Sequence, residues 1–262
     1  MVGLFRLRTR RIEAKELLMS TVVIVGAGSG LGLSVAQAFG AKGFDVALVA
    51  RNKDHLDDMN SALANSNITS RGFVADVTDE SQIAAAFAQV REVFGQVDVL
   101  VYNAGVIAAV SAAEATAELT NKHLQVNIIG AIASAQQVIP DMVERGQGAI
   151  FFTGGGSSEL TATPMLTTLS IGKSGLRSYA RCLHEDLKDK GVYAGMVSIS
   201  GVIEPGTAFD PDVIAREYVD MFDKRDTVER FFTGRPAEAT RPAEAIKPAD
   251  APESAETPAS GR

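Results

Sequence analysis

Apolar positions change period repeatedly along the chain. Thr21-Val22-Val23-Ile24-Val25 is an unbroken, largely β-branched run, and Leu33 to Ala41 then places apolar residues at helical spacing. The exchange recurs, with strand-like runs at Asp45–Ala50, Gly72–Asp76, Asp98–Tyr102, Ala149–Thr153 and Val192–Ser200 and a last short strand expected at Thr227–Phe232. Long helices are expected over 112–138 and 165–189, and Pro211 to Arg225 reads as another, with Ile214, Tyr218 and Phe222 at i, i+4 and i+8. Apolar strands alternating with helices predict an α/β fold, a doubly wound parallel sheet in one three-layer αβα domain with right-handed crossovers. Ligands of such sheets bind beyond the strand C-termini, so the residues after each strand hold the candidate chemistry.

The first of these turns is Gly26-Ala27-Gly28-Ser29-Gly30-Leu31-Gly32. Glycines there free the tight turn, let the backbone approach a pyrophosphate and let the helix pack on the sheet, while the helix N-terminus offers N–H groups and a positive dipole end. The opening therefore reads as a Rossmann-like nucleotide-binding unit, with Gly26, Ser29, Gly30, Leu31 and Gly32 as cofactor contacts. Its spacing is G-x-x-x-G-x-G, not the G-x-G-x-x-G dinucleotide fingerprint. Arg51-Asn52 ends the second strand, where a carboxylate would hold an NAD ribose hydroxyl. A guanidinium there pairs with a 2′-phosphate, so NADP is expected in preference to NAD, with Arg51 and Asn52 as contacts.

The 262 residues, 46% hydrophobic, suffice for one substantial core, and a net charge of −7 without a basic stripe in the body argues against nucleic acid as a partner. The single Cys182 has no disulfide partner and is expected to be a buried small hydrophobe; His55, His123 and His184 show no ligand spacing, so no metal site is expected. No apolar run approaches the ~20 residues of a bilayer span, and the expectation is a cytoplasmic protein with a small-molecule substrate and no membrane partner. The ends differ from the body. Residues 1–20 carry Arg6, Arg8, Arg10, Arg11 and Lys15 and read as a basic extension, with Met19 the expected working start. Residues 234–262 hold five of the nine prolines and repeat Arg-Pro-Ala-Glu-Ala at 235–239 and 241–245, so disorder is expected there, leaving 21–233 as the nucleotide-binding domain.

Asp76-Val77 follows the third strand, Asn103-Ala104-Gly105 follows the fourth, Asn127 lies in Val126-Asn127-Ile128-Ile129-Gly130, and Lys173 closes Leu169-Ser170-Ile171-Gly172-Lys173. With the glycine turn, this set resembles the short-chain dehydrogenase/reductase family over about residues 20–233. The resemblance implies an oxidoreductase in which Asp76 and Val77 contact the adenine, and Asn103, Ala104 and Gly105 contact the cofactor. It implies that Lys173 holds the nicotinamide ribose, that Asn127 positions a water behind the lysine, and that Gly201 and Ile203 are further cofactor contacts. It also implies a homodimer or homotetramer sharing the helices at 112–138 and 165–189. Two small departures are Val25 before the first glycine, where threonine is common, and the absence of Pro-Gly after the sixth strand.

A larger departure concerns the proton. The family's tyrosine, four residues before the lysine, falls on Leu169, and its serine falls on Gly155 or Gly156. Ser157 or Ser158 would replace the serine if the glycine-rich loop curls back, and Ser157 joins Lys173 and Asn127 as the catalytic set. Ser170 is a short, weak acid; Glu159 and Glu204 would need desolvation to donate a proton; Lys173 itself would donate if burial lowered its pKa. His184, eleven residues past Lys173, lies too far along the helix and reads as a packing or subunit-contact residue. Two expectations stay open: an NADP-dependent oxidoreductase for a small carbonyl or alcohol with a non-standard proton donor, and an inactive NADP(H)-binding regulatory or redox-sensing protein.

Overall fold

A computed structural model describes residues 20–155 and 164–234. The apolar runs form seven strands: β1 Thr21–Val25, β2 Asp45–Ala50, β3 Ser70–Val74, β4 Val99–Tyr102, β5 Gly148–Gly155, β6 Val192–Ile199 and β7 Glu229–Phe232. All pair in parallel, in the order β3-β2-β1-β4-β5-β6-β7. Side chains alternate across the sheet, so Val22 and Ile24 of β1 enter one core while Val23 and Val25 enter the other. Helices α1 (Leu31–Gly40) and α2 (Lys53–Ala64) cover one face, and α3 (Glu80–Phe94) covers the other. Later in the chain α4 (Ala117–Leu124), α5 (Gly130–Gln136), α6 (Ile139–Arg145) and α7 (Thr167–Leu187) join the α3 side, and α8 (Pro211–Lys224) joins the α1 side. Covering both faces explains why the strands read as near-continuous apolar runs. Strand order reverses between β1 and β4, and the crevice opens at their C-terminal ends.

Four expectations shift. β3 begins and ends two residues early because its register pairs Ser70 with Val46 and Val74 with Ala50, which leaves Asp76 in the loop. β5 runs on through Gly154 and Gly155, which pair with Ser198 and Ile199. The single helix expected over 112–138 is broken: Thr116 caps α4 by accepting from the Leu119 amide, and a π-helical turn at Gln125–Ile129 separates α4 from α5. Cys182 is exposed, not buried, because it is out of phase with the inward row Leu176, Ala180, Leu183 and Leu187 of α7. The stripe Ile214, Tyr218 and Phe222 packs α8 onto the sheet, with the first two fully buried. Among the described residues no helix is long and apolar enough to cross a membrane. The expectations for residues 1–19 and for the tail beyond Gly234 lie outside the described residues.

Candidate active site

At the C-terminal ends of the first four strands lies a cleft of about 920 Å³. Gly26, at φ +81, allows its closest approach: a Cβ there would stand 2.3 Å from the Ala104 amide nitrogen, so no other residue lets the ends of β1 and β4 meet. The Gly26 and Ala27 amides both donate to the Val49 carbonyl, at 2.9 and 3.1 Å, which ties the turn to β2. Leu31 and Gly32 are buried, while Ser29 and Gly30 are exposed. No side chain caps the head of α1 at Gly30, and a Cβ on Gly28 or Gly30 would meet nothing within 4 Å. An uncapped helix N-terminus beside open space fits the pyrophosphate of a dinucleotide.

The second strand supplies the cationic corner. Arg51 lines the cleft, exposed, with its guanidinium 4.0 Å from the Asp76 carboxylate. Asn52 caps α2 by accepting from the His55 amide, so Lys53 and His55 are brought to the same wall. Neither belongs to a motif; the readable signal was their place in the first turn of the helix after Arg51. Asp76 accepts from the Thr78 amide and hydroxyl at 2.9 and 2.8 Å, which holds its loop, and Val77 is buried against Gly130.

Behind the wall formed by Asn103 and Gly105, a network converges on the buried Thr153. The Asn103 amide donates to the Val25 carbonyl at 2.8 Å, and its side-chain nitrogen donates to the Gly26 carbonyl at 3.1 Å. Its side-chain oxygen accepts from the Thr153 hydroxyl at 2.9 Å, and that hydroxyl also lies 2.7 Å from the Tyr218 hydroxyl. The Thr153 carbonyl accepts from Lys173 Nζ at 2.8 Å. Asn127, fully buried in the π-helical turn, clamps the backbone of Val106: its Oδ1 accepts from the amide at 2.8 Å and its Nδ2 donates to the carbonyl at 3.3 Å. A Cβ on Gly172 would stand 2.5 Å from Asn127 Cβ, so the absent side chain lets α7 sit against that turn. Gly105 lies beside both groups, since a Cβ there would stand 3.6 Å from Asn127 Oδ1 and from Lys173 Nζ. Lys173 is only 6% exposed, and burial pushes its amine down to about 8.

The structure thus brings Gly26, Arg51, Asn52, Asp76, Val77, Asn103, Ala104 and Gly105 to one cleft, and sets Lys173 and Asn127 behind Gly105. Gly201 and Ile203 are not among the residues lining it; Gly201 packs against the Phe209 ring, which a Cβ would approach to 2.2 Å. Leu169, one helical turn before Lys173, is buried, and the Ser170 hydroxyl is buried with no partner among the described residues. Glu204 is exposed and so is not the desolvated acid its position allowed. His184 packs through a 3.0 Å hydrogen bond to the Ala194 carbonyl and an edge contact with Tyr193. Ser157, Ser158 and Glu159 lie outside the described residues. Thr153 and Tyr218, central to the network, carry no motif.

Comparison with known proteins agrees with this architecture. A family model described as short chain dehydrogenase matches residues 20–210. Dehydrogenase/reductase SDR family member 7B of Mus musculus is 32% identical over 201 residues, which cover 75% of this chain and 62% of that protein, so the chain spans less than two thirds of that relative. 2-(S)-hydroxypropyl-CoM dehydrogenase 3 of Xanthobacter autotrophicus is 27% identical over 210 residues, covering 78% of this chain and 82% of that one. The crystal structure of L-sorbose reductase from Gluconobacter frateurii, complexed with NADPH and L-sorbose, is similar in fold, with a TM-score of 0.76 at 21% identity over 85% of this chain and 98% of that one. The family match begins at the first residue before β1 and runs past β6, taking in the glycine turn, the cleft and Lys173 together: the chain belongs to the short-chain dehydrogenase family.

Proposed function

We propose that this protein is an NADP-dependent oxidoreductase acting on a small carbonyl or alcohol, with the proton handled by a group other than a tyrosine. The observation that carries this reading is the tie through Thr153, which joins Lys173 on one side to Asn103 and the Gly26 turn on the other. In this reading the head of α1 takes the pyrophosphate, Arg51 and Asn52 with Lys53 and His55 take the 2′-phosphate, Asp76 and Val77 border the adenine, and Asn103, Ala104, Gly105 and Lys173 hold the nicotinamide ribose. When bound, the nicotinamide supplies or accepts hydride. The chain's own residues orient the reactants: Asn127 fixes the wall at Val106, and Lys173 offers a buried amine at the reacting end. The NADPH complex of L-sorbose reductase supports a nicotinamide cofactor. A cytoplasmic homodimer or homotetramer completes the proposal.

Leu169 favours a second reading, an inactive NADP(H)-binding regulatory or redox-sensing protein, because a buried aliphatic side chain carries no proton to transfer. One titration addresses both. Wild type should bind NADPH more tightly than NADH, and Arg51→Asp should weaken NADPH binding by roughly tenfold or more. No binding of either nucleotide would overturn both readings. Tight binding without NADPH oxidation across a panel of carbonyl compounds would leave the second.

A further inference from the structure

Lys173 is unusual for a lysine: its amine is nearly buried, and among the described residues its one hydrogen bond is to a neutral main-chain oxygen, Thr153 O at 2.8 Å. Among the described residues no counter-charge reaches it from the elements packed against α7. On α4, Glu118 and Lys122 are exposed and His123 engages the Thr168 hydroxyl at 2.8 Å. On β6 the Tyr193 hydroxyl donates to the Thr227 carbonyl, and on β7 Glu229 is held by Arg177, Arg181 and Ser198. The Tyr218 hydroxyl pairs with that of Thr153, and Lys188, Asp189 and Lys190 beyond α7 are exposed. Between Leu169 and Gly172 the only polar side chain is Ser170, whose hydroxyl has no partner among the described residues. Gly105 lines the cleft and stands between it and the amine, where a side chain would begin 3.6 Å from Lys173 Nζ.

We propose that Lys173 is a carbonyl-capture site, whose amine forms a reversible imine with an uncharged aldehyde or ketone entering past Gly105. This activity goes beyond hydride transfer and rests on the reading of the cleft as carbonyl-binding. The neutral Nζ adds to the carbonyl carbon, the carbonyl π pair moves to oxygen, and the carbinolamine loses water. Both amine hydrogens leave in that water, and nothing is oxidised or reduced. A desolvated lysine without a counter-ion is the kind that performs such chemistry. With its amine at about 8 rather than 10.5, about a tenth of Lys173 is unprotonated at pH 7, against roughly three in ten thousand for an ordinary lysine. An aliphatic carbonyl suits the open end of the sheet, where Ile107 after β4, Met165 before α7 and Val202 after β6 stand exposed at 77%, 51% and 80%.

Propanal with cyanoborohydride tests this on the full-length protein, because reduction fixes any imine as a stable propyl group that peptide mass spectrometry assigns to one lysine. At pH 7 Lys173 should be labelled at least tenfold faster than the exposed Lys122 and Lys190, with a rate that levels off above pH 8 while theirs keeps climbing. Labelling of Lys173 no faster than of those two would overturn the inference. A parallel NADPH titration separates this outcome from the fate of the cofactor reading. Slow Lys173 labelling with tight NADPH binding removes the imine and keeps the oxidoreductase; fast labelling with no NADPH binding does the reverse. Fast labelling that saturating NADPH suppresses supports both and places the two chemistries at one amine.

Discussion

Burial makes Lys173 a pH-dependent load on the fold. The folded amine titrates near 8 and the unfolded one near 10.5, so the folded state disfavours the proton. Below the lower value both states are protonated and the cost is complete; above the higher value neither is, and it has vanished. Between them the unfolded chain binds more protons, and stability therefore rises with pH. Relative to Lys173→Met, wild type should gain about 3 kcal/mol across that window in denaturant melts. A difference that stays flat would mean the amine is solvated. Lys173 and Asn127 are both legible as motif residues, but what holds them is not. Lys173 is held by a peptide oxygen, and Asn127 spends its amide on the peptide of Val106, so neither partner has a side chain for a pattern to register.

Among elements, α8 is coupled to the network behind the cleft through one bond between hydroxyls, Tyr218 to Thr153. Tyr218→Phe keeps the ring against Phe151 and removes the bond to Thr153, and should cost about 1 kcal/mol. Thr153→Val removes the same bond from its other end and also frees Asn103, so it should cost more, about 2 kcal/mol, and weaken NADPH binding further than Tyr218→Phe does. If the two variants proved equal in both measurements, Asn103 would not depend on Thr153. Most elements were readable because each apolar run keeps one period from end to end. The helix expected over 112–138 was not, since the signals that interrupt it are a threonine cap and a π-helical turn around Asn127, and its residues remain compatible with helical periodicity throughout. The two-residue shift of β3 has a similar origin: register is set by the partner strand, which a one-dimensional pattern does not contain.

For the whole molecule, the alternation of runs was enough to foresee a parallel sheet with both faces covered, because crossover connections allow few other arrangements. Assembly is less readable, as it depends on what stays uncovered. Ile129 on the π-helical turn and Ile171 on α7 are 46% and 47% exposed, and the proposed homodimer or homotetramer would bury them. Light scattering should show a multimer for wild type and a lower mass for Ile129→Glu combined with Ile171→Glu; a monomer in both would remove the proposal. A different kind of permanence attaches to the contact between Lys173 and Thr153. The acceptor belongs to the peptide unit, which every amino acid shares, so drift at position 153 alters the hydroxyl network and leaves the lysine tether standing. That tether is inherited through the path of the backbone, and descendants of this chain would carry it even after position 153 had become unrecognisable.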